Sequence, residues 1–370
     1  MSEIVGLKIV DLSDGSAFVF NENTAPGSIL FSDYVNSYRY NLTPDGGWLT
    51  YQYTLPNPIP TGYEVQFPGA GRAEVTFTES GDRRYVSGTQ DLFNLNLSGD
   101  RKLTIKGLRQ SRNSGEPNNH VQVFAYPTMD AMKTQGKAGL KIMGNNIFFN
   151  PIPSTGYAYA IHRKKIRING MFRPSEIHPS LNMNNAVYFF YCEDAKSYIT
   201  HFYVLNDKQT TYIDHYFVSR NRGDPTTTTR TSADYYVIAF ANQSPADLEA
   251  IAGKAGLKLR DMNGRTTYCS AMKVLTRPYT IPANQINVNS GYTIKDVKRP
   301  MYCPSIYGET FTSNGGSAQF RSLNIGNFNS STVGLFEVNT WAGRGYHGNY
   351  TIARSSAPII ILDAADYFKF

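Results

Sequence analysis

Apolar and polar residues alternate along much of the chain, and this pattern predicts β-strands. The runs 63–67, 73–78 and 103–108 are examples. Such alternation is typical of strands that place one face on a core and the other in water, as in antiparallel sheets. Proline-rich segments at 57–63, 150–157 and 279–282 interrupt the runs, because proline cannot donate to a β-ladder. We therefore expect an all-β protein.

The most aromatic part of the chain predicts three consecutive strands, at 186–192, 198–205 and 212–218, joined by short polar loops. Strands linked in this way form a meander within one sheet. One helix is expected over 244–252. Ser244 and Asp247 match a capping box, Pro245 suits the first turn, and Gly253 is expected to end the helix.

A short phrase repeats along the chain. Gly136–Ile142 returns as Gly253–Leu259 with six identical residues in a row, and a shorter copy, Gly6–Ile9, opens the chain. The copies lie about one domain length apart, too far for solenoid repeats, so we expect units with separate cores. The prediction is three tandem antiparallel β-sandwich modules in series: module one (1–133), module two (134–252) and module three (253–370).

Each copy of the phrase is followed by a turn and a second apolar run, which predicts a β-hairpin. The predicted hairpins are 7–20, 140–149 and 257–268, and the third contains the turn signal Asn263-Gly264. The proline-rich segments 57–63 and 150–157 also resemble each other. Because they are closer together than the copies of the phrase, we expect an insertion in module one before its proline corner.

Composition agrees with a β-rich, turn-rich protein. Charged residues make up 18%, while Tyr (26), Phe (21), Gly (31) and Pro (19) are abundant. The net charge of +7 is spread over 370 residues. A nucleic-acid partner would require a concentrated basic face, so we expect no nucleic-acid partner. Cys192, Cys269 and Cys303 show no metal or disulfide spacing, so we expect buried thiols. We expect neither a signal peptide nor a membrane span.

No motif predicts catalysis or a cofactor. There is no nucleophile elbow and no phosphate-binding loop, and the six histidines lack metal spacing. The segment Gly343–Gly348 matches G-x-G-x-x-G, but a strand rather than a helix is expected after it. We therefore expect a protein that is not an enzyme and that uses no cofactor or metal.

Three groups of residues are candidates for an interaction surface. The basic run Arg163, Lys164, Lys165 and Arg167 would dock to an acidic partner surface or to an anionic polysaccharide, or form a solvated strand face. The tyrosine-rich group is either a contact surface or part of a core, and a third group has the composition of a sugar-stacking platform. The tyrosine-rich group comprises Tyr34, Tyr38, Arg39 and Tyr40. The third group comprises Trp341, Arg344 and Tyr346.

The opening G-L-K-[IL] followed by a hairpin turn, at Gly6, Gly139 and Gly256, resembles the start of small β-rich modules in virion proteins of tailed bacteriophages. The resemblance covers about fifteen residues per module. It implies a structural component of the tail or tail tip, made in the host cytoplasm and carried in the virion. Expected partners are other virion proteins, copies of the same chain as a homo-oligomer, with a trimer favoured, and a glycan on the host surface.

Two alternatives stay open. A carbohydrate-binding or cell-wall-binding adhesin would use an aromatic platform at Trp341. A glycan-degrading enzyme would need two carboxylates facing each other across a groove, and the sequence does not locate such a pair.

Overall fold

The structure is a computed structural model, and all structural statements below concern the residues it describes. These are 7–10, 17–20, 26–35, 42–45, 48–66, 73–110, 119–128, 130, 140–142, 147–149, 156–182, 185–194, 197–205, 212–221, 230–254, 256–261, 263–315 and 317–370.

Strands dominate the described residues, so the predicted all-β class is confirmed. In module one they are β1 (Leu7–Val10), β2 (Ala17–Phe20), β3 (Ser28–Val35), β4 (Leu42–Asp45), β5 (Trp48–Thr54), β6 (Tyr63–Gln66), β7 (Ala73–Ser80), β8 (Arg83–Asp91), β9 (Phe93–Leu97), β10 (Leu103–Gln110) and β11 (Asn119–Pro127). In module two they are β12 (Leu140–Ile142), β13 (Ile147–Phe149), β14 (Ala158–Asn169), β15 (Met171–Phe172), β16 (Val187–Cys192), β17 (Ser197–Leu205), β18 (Tyr212–Asn221) and β19 (Ser232–Asn242).

Module two ends in the helix α1 (Pro245–Ile251), which leads to module three. The strands of module three are β20 (Lys258–Arg260), β21 (Thr266–Cys269), β22 (Tyr279–Pro282), β23 (Tyr292–Thr293), β24 (Pro300–Tyr302), β25 (Ile306–Asn314), β26 (Ser317–Asn329), β27 (Thr332–Arg344), β28 (Tyr346–His347), β29 (Thr351–Arg354) and β30 (Pro358–Asp363). Short 3-10 turns occupy Pro174–Glu176, Ala252–Lys254, Ala283–Gln285 and Ala364–Asp366.

The three predicted hairpins are confirmed as β1–β2, β12–β13 and β20–β21, each antiparallel. The predicted helix is also confirmed, with Pro in the first turn and both bonds of the Ser244/Asp247 capping box. Gly253 does not end it, because the chain continues through the 3-10 turn Ala252–Lys254.

The sequence repeat corresponds to a repeated structural unit of three antiparallel strands. The middle strand of each unit, β11, β19 or β30, is the last long strand of its module. The units are β3-β11-β6, β14-β19-β16 and β22-β30-β24. A β-bulge leaves Leu30 of β3 and Ile161 of β14 out of the pairing at matching positions. In module three Pro278, which has no N–H to donate, stands at the same place just before β22.

This match corrects the expected insertion in module one. The first strand of its unit, β3, lies before the proline corner 57–63, whereas the first strand of the second unit, β14, follows the corner 150–157. The two corners are therefore not equivalent, and their spacing says nothing about an insertion.

One main-chain hydrogen-bonded ring joins the three modules. The N–H of Gly27 donates to the carbonyl of Leu275 (2.7 Å), that of Leu275 to Ala158 (2.7 Å), and that of Ala158 to Gly27 (2.8 Å). Gly27 and Ala158 lie three positions before the bulge residues Leu30 and Ile161, and Leu275 lies three positions before Pro278. Equivalent residues are thus bonded head to tail, in a three-fold pattern that we call the junction ring.

Six strands of module two and three of module three form one sheet, in the order β17-β18-β15-β14-β19-β16-β24-β30-β22. Strand β16 pairs with β24 where Phe190 faces Tyr302, so hydrogen bonding crosses the predicted boundary at 252/253. The expectation of one separate core per module is not met here. All six residues of β16 are buried, and such a strand belongs in the interior of a sheet covered on both faces.

The nine-stranded sheet has a core on each face. Tyr188 and Phe190 of β16 pack on one side, against Ile325 and Leu335 of the sheet β23-β27-β26-β25-β29. On the other side, residues from all three modules pack together, including Ile29, Phe124, Val187, Phe240, Leu275 and Tyr367. Full burial of a Val, Leu, Ile or Phe side chain contributes about 1.5–3 kcal/mol.

Strand β16 also corrects the predicted meander. Strands β17 and β18 are neighbours as expected, but β16 lies between β19 and β24 rather than beside β17. Its uniformly apolar residues suit the centre of the sheet, and β17 lies at the sheet edge.

Module one has a smaller core of its own. The sheets β4-β5-β10-β9 and β3-β11-β6 enclose a cluster that includes Leu103, Ile105, Val121 and Val123. The two sheets thus share one apolar cluster.

The hairpin β7–β8 leaves module one and packs on module three. Val75 and Phe77 join a cluster with Phe311, Phe320 and Tyr346. Strand β8 also pairs in parallel with β28, so side-chain burial and backbone pairing together attach this hairpin.

Substitution of Gly27 will test the junction ring. A Cβ at Gly27 would clash with Cε1 of the buried Tyr126, whereas a Cβ at Gly99 would meet nothing within 4 Å. We expect Gly27→Ala to lower the free energy of unfolding by about 1–3 kcal/mol through overpacking. Urea unfolding of both variants measures this, and a Gly27→Ala protein no less stable than Gly99→Ala would contradict the tight junction.

The contact of helix α1 with the hairpin β20–β21 should depend on pH. Glu249 accepts hydrogen bonds from Thr266 and Lys258 and pairs with Arg260 (2.9 Å). These contacts, Thr266 first, lower the pKa of Glu249 from 4.5 to about 2. A lowered pKa stabilises the fold above the unfolded value, and the effect is lost as pH falls.

We therefore expect wild-type protein to melt at a higher temperature than Glu249→Gln at neutral pH. The difference should shrink as pH falls from 4.5 towards 2, which thermal unfolding in a pH series would measure. A difference that is independent of pH over this range would show that the Glu249 charge has no such role.

Candidate functional site

The tyrosine-rich candidates are only partly described. Tyr34 lies on β3, where its backbone faces that of His120. Tyr38, Arg39 and Tyr40 lie outside the described residues.

The basic candidates share strand β14, and three of them contact other parts of the fold. Arg163 donates to the carbonyl of Tyr367 (2.6 Å), Lys165 lies 4.8 Å above the ring of Tyr236, and Arg167 pairs with Asp234 (3.3 Å). Lys164 is exposed. Every second residue of the run thus contacts another residue of the same chain. This agrees with the alternative in which the run is a solvated strand face.

The members of the third group, the expected sugar-stacking platform, differ in their exposure to solvent. Tyr346 is only 5% exposed; its ring lies 5.0 Å from that of Phe77 and 5.3 Å from that of Phe320, and its hydroxyl accepts from Arg84. It is a core residue and cannot stack on a sugar. Arg344 is exposed at the end of β27. The backbone of Trp341 faces that of Phe320, and its side chain lies outside the described residues.

A polar surface surrounds Arg344 on the hairpin ends of β25, β26 and β27. Its exposed or half-buried side chains form rows across the strands, which we call the distal face. The antiparallel register places Thr312 opposite Gln319, and Asn314 opposite Ser317, which in turn faces Arg344. The distal face comprises Thr312, Asn314, Ser317, Gln319, Arg321, Glu337, Asn339, Arg344 and Tyr350.

Arg321 organises this surface. Its guanidinium donates to Asn339 Oδ1 (2.9 Å) and Gln319 Oε1 (2.6 Å) and pairs with Glu337 (3.5 Å). The buried Thr310 donates a further bond to Glu337 (2.5 Å). Bonds to charged groups contribute about 1.5–3 kcal/mol each, so these side chains are held in place before any ligand arrives.

Tyr350 borders the same surface and is 52% exposed. Thr351 faces Phe311 across β29 and β25, so Tyr350 is level with Thr312. Partial burial raises the pKa of Tyr350, and the carboxylate of Glu337 raises it further, while Arg321 and Arg354 lower it. The phenol therefore lies beside both charges of the Arg321–Glu337 pair.

An open groove of about 610 Å³ runs along this end of the sheet. It is lined by Thr312, Ser313, Asn314, Ser317, Ala318, Gln319, Ala342, Gly343 and Arg344. Its size is within the usual range of ligand sites, about 300–1,000 Å³. Its lining offers hydroxyl, amide and guanidinium groups, which suit hydrogen bonding to a polar ligand.

Carboxylates are scarce on the distal face. Among its described residues the only carboxylate is Glu337, and it is held by Arg321 and Thr310. Glu309 of the same strand region accepts from the N–H of Val75 instead. A pair of facing acids, which glycan hydrolysis requires, is thus not present on this surface as described.

Other parts of the described chain offer little reactive chemistry. The thiols of Cys192, Cys269 and Cys303 are free and buried, as expected, and burial raises the pKa of Cys192 to about 12. No described group of three or more His, Cys, Asp or Glu side chains could hold a metal ion. The described helices include none long and apolar enough to cross a membrane.

Sequence reasoning found Arg344 but missed most of the distal face. A signal was present: polar residues occupy every second position in Thr310–Asn314 and again in Ser317–Arg321. These two stretches pair with each other, and the second also pairs with β27, in one antiparallel sheet.

Comparison with protein-family models, with characterised protein sequences and with solved structures finds no match.

A pair of tyrosine substitutions will separate core from surface at this site. Tyr346→Ala should lower the free energy of unfolding by about 3–5 kcal/mol, the usual cost of removing a buried aromatic ring. Tyr350→Ala should change it by no more than about 0.5 kcal/mol, as at most surface positions. Urea unfolding of both variants gives the comparison, and equal effects would show that the two rings are not divided in this way.

Proposed function

We propose that the protein is a non-enzymatic structural component of a phage particle, at the tail or tail tip, where it joins other virion proteins or fibres. The observation that carries the proposal is the junction ring, in which Gly27, Ala158 and Leu275 tie three sequence repeats together. A body whose repeats share hydrogen bonds and cores transmits load without relative motion of its parts. This is the property that a connecting element in a particle needs.

Further support comes from the β-rich opening, repeated at Gly6, Gly139 and Gly256, that resembles modules of tailed-phage virion proteins. In this proposal each repeat derives from a β-sandwich module, and the divisions at 133/134 and 252/253 mark the repeats. In this proposal the modules have merged, which would account for the pairing of β16 with β24 across the second division.

The proposed partners are neighbouring virion proteins and further copies of the chain, with a trimer as the proposed assembly. Exposed Lys164 and Arg344 are available for such contacts. Contact with a host surface would use the distal face, which offers polar groups on a preformed sheet.

Mass spectrometry of purified particles will test the structural role. We expect peptides of this chain in particles made by the virus that encodes it, in a constant ratio to known tail proteins. Peptides found in the infected lysate but not in particles banded on a gradient would refute the proposal. A tailless mutant of the same virus provides the control, because its particles should lack the chain.

A further inference from the structure

We infer that the distal face binds a saccharide chain that carries carboxylate groups. This inference goes beyond the proposed structural role and does not depend on it, because it rests on the geometry of module three alone.

Hydrogen bonding is the first reason. Asn314, Ser317 and Gln319 are exposed along one groove, and their side chains both donate and accept hydrogen bonds. Sugar hydroxyl groups do the same. Because antiparallel pairing spaces these residues in rows across neighbouring strands, an extended chain of sugars can meet several of them at once.

The exposed ring of Tyr350 is the second reason. Beside the rows, at the level of Thr312, it offers a flat apolar surface with a polar tip. The C–H face of a pyranose is also flat and apolar, so it can pack on the ring while its hydroxyls reach Thr312 and Gln319. Such a combination of ring and polar groups selects a ligand with both kinds of surface.

Charge selects among saccharides. Around the distal face the described side chains include three arginines, Arg321, Arg344 and Arg354, against the single carboxylate of Glu337. The donors of Arg321 bind protein groups, whereas Arg344 is exposed and forms no ion pair among the described residues. A guanidinium binds a carboxylate through two parallel hydrogen bonds, so Arg344 is the group that favours an acidic sugar.

Calorimetric titration with oligogalacturonate will test the inference, with the methyl ester of the same oligomer as the matched neutral ligand. We expect binding of the acid, weaker binding of the ester, and loss of affinity as salt screens the charges. Arg344→Gln should weaken binding of the acid by about tenfold, the size expected for one charge-assisted contact.

Three further variants test stacking on Tyr350 and control for general attraction to a basic protein. Tyr350→Ala should weaken binding of both ligands, and Tyr350→Phe should keep it. Arg230→Gln, which alters an exposed arginine of module two, should leave affinity unchanged.

Several results would overturn the inference: no binding of the acid, equal affinity for acid and ester, or affinity unaffected by both Arg344→Gln and Tyr350→Ala. Equal loss with Arg230→Gln would also overturn it, because it would indicate general attraction to a basic protein. Unchanged thermal unfolding of Arg344→Gln, whose side chain is exposed, will show that any loss of binding is not a loss of fold.

Discussion

Three main-chain hydrogen bonds between Gly27, Ala158 and Leu275 are the constraint on which the rest of the structure depends. Buried N–H and C=O groups must find partners, since an unpaired group costs about 1–3 kcal/mol. In the junction ring, each module supplies a hydrogen-bond partner for a backbone group of the next module. Removing one module would therefore leave an N–H of one remaining module and a carbonyl of the other without their partners, which makes the three repeats interdependent.

Side chains reinforce the same junction. The amide of Asn242 bonds both the N–H and the carbonyl of Ile29, linking modules two and one. Arg277 of module three bonds the carbonyl of Pro127 and pairs with Glu64. The hydroxyl of Tyr367 accepts from the N–H of Thr276 and donates to the carbonyl of Val274. The junction is thus stabilised by directional bonds as well as by apolar burial, which specifies one arrangement of the modules.

Local structure could be predicted from the sequence because its causes are local. The capping box of Ser244 and the hairpins at the repeated phrase depend on neighbouring residues, and the structure confirms them. The similarity of the two proline corners is also local: Gly62 and Gly156 both adopt positive φ. A turn does not determine which strand follows it, however, and the inferred insertion failed for that reason.

Pairing between modules could not be predicted in this way. The residues of β16 indicate burial on both faces, but nothing in them identifies β24 as the neighbour. The distal face could not be predicted from the sequence either, since its polar residues form one surface only when β25, β26 and β27 align in register.

The attachment of β7–β8 to module three has a consequence during synthesis on the ribosome. Val75 and Phe77 pack against Tyr346, which is translated far later. At about 5–20 residues per second, the hairpin emerges roughly 10 to 50 seconds before that tyrosine exists. During this interval its apolar side chains lack their final cover, so the nascent chain presents a site that a chaperone can hold.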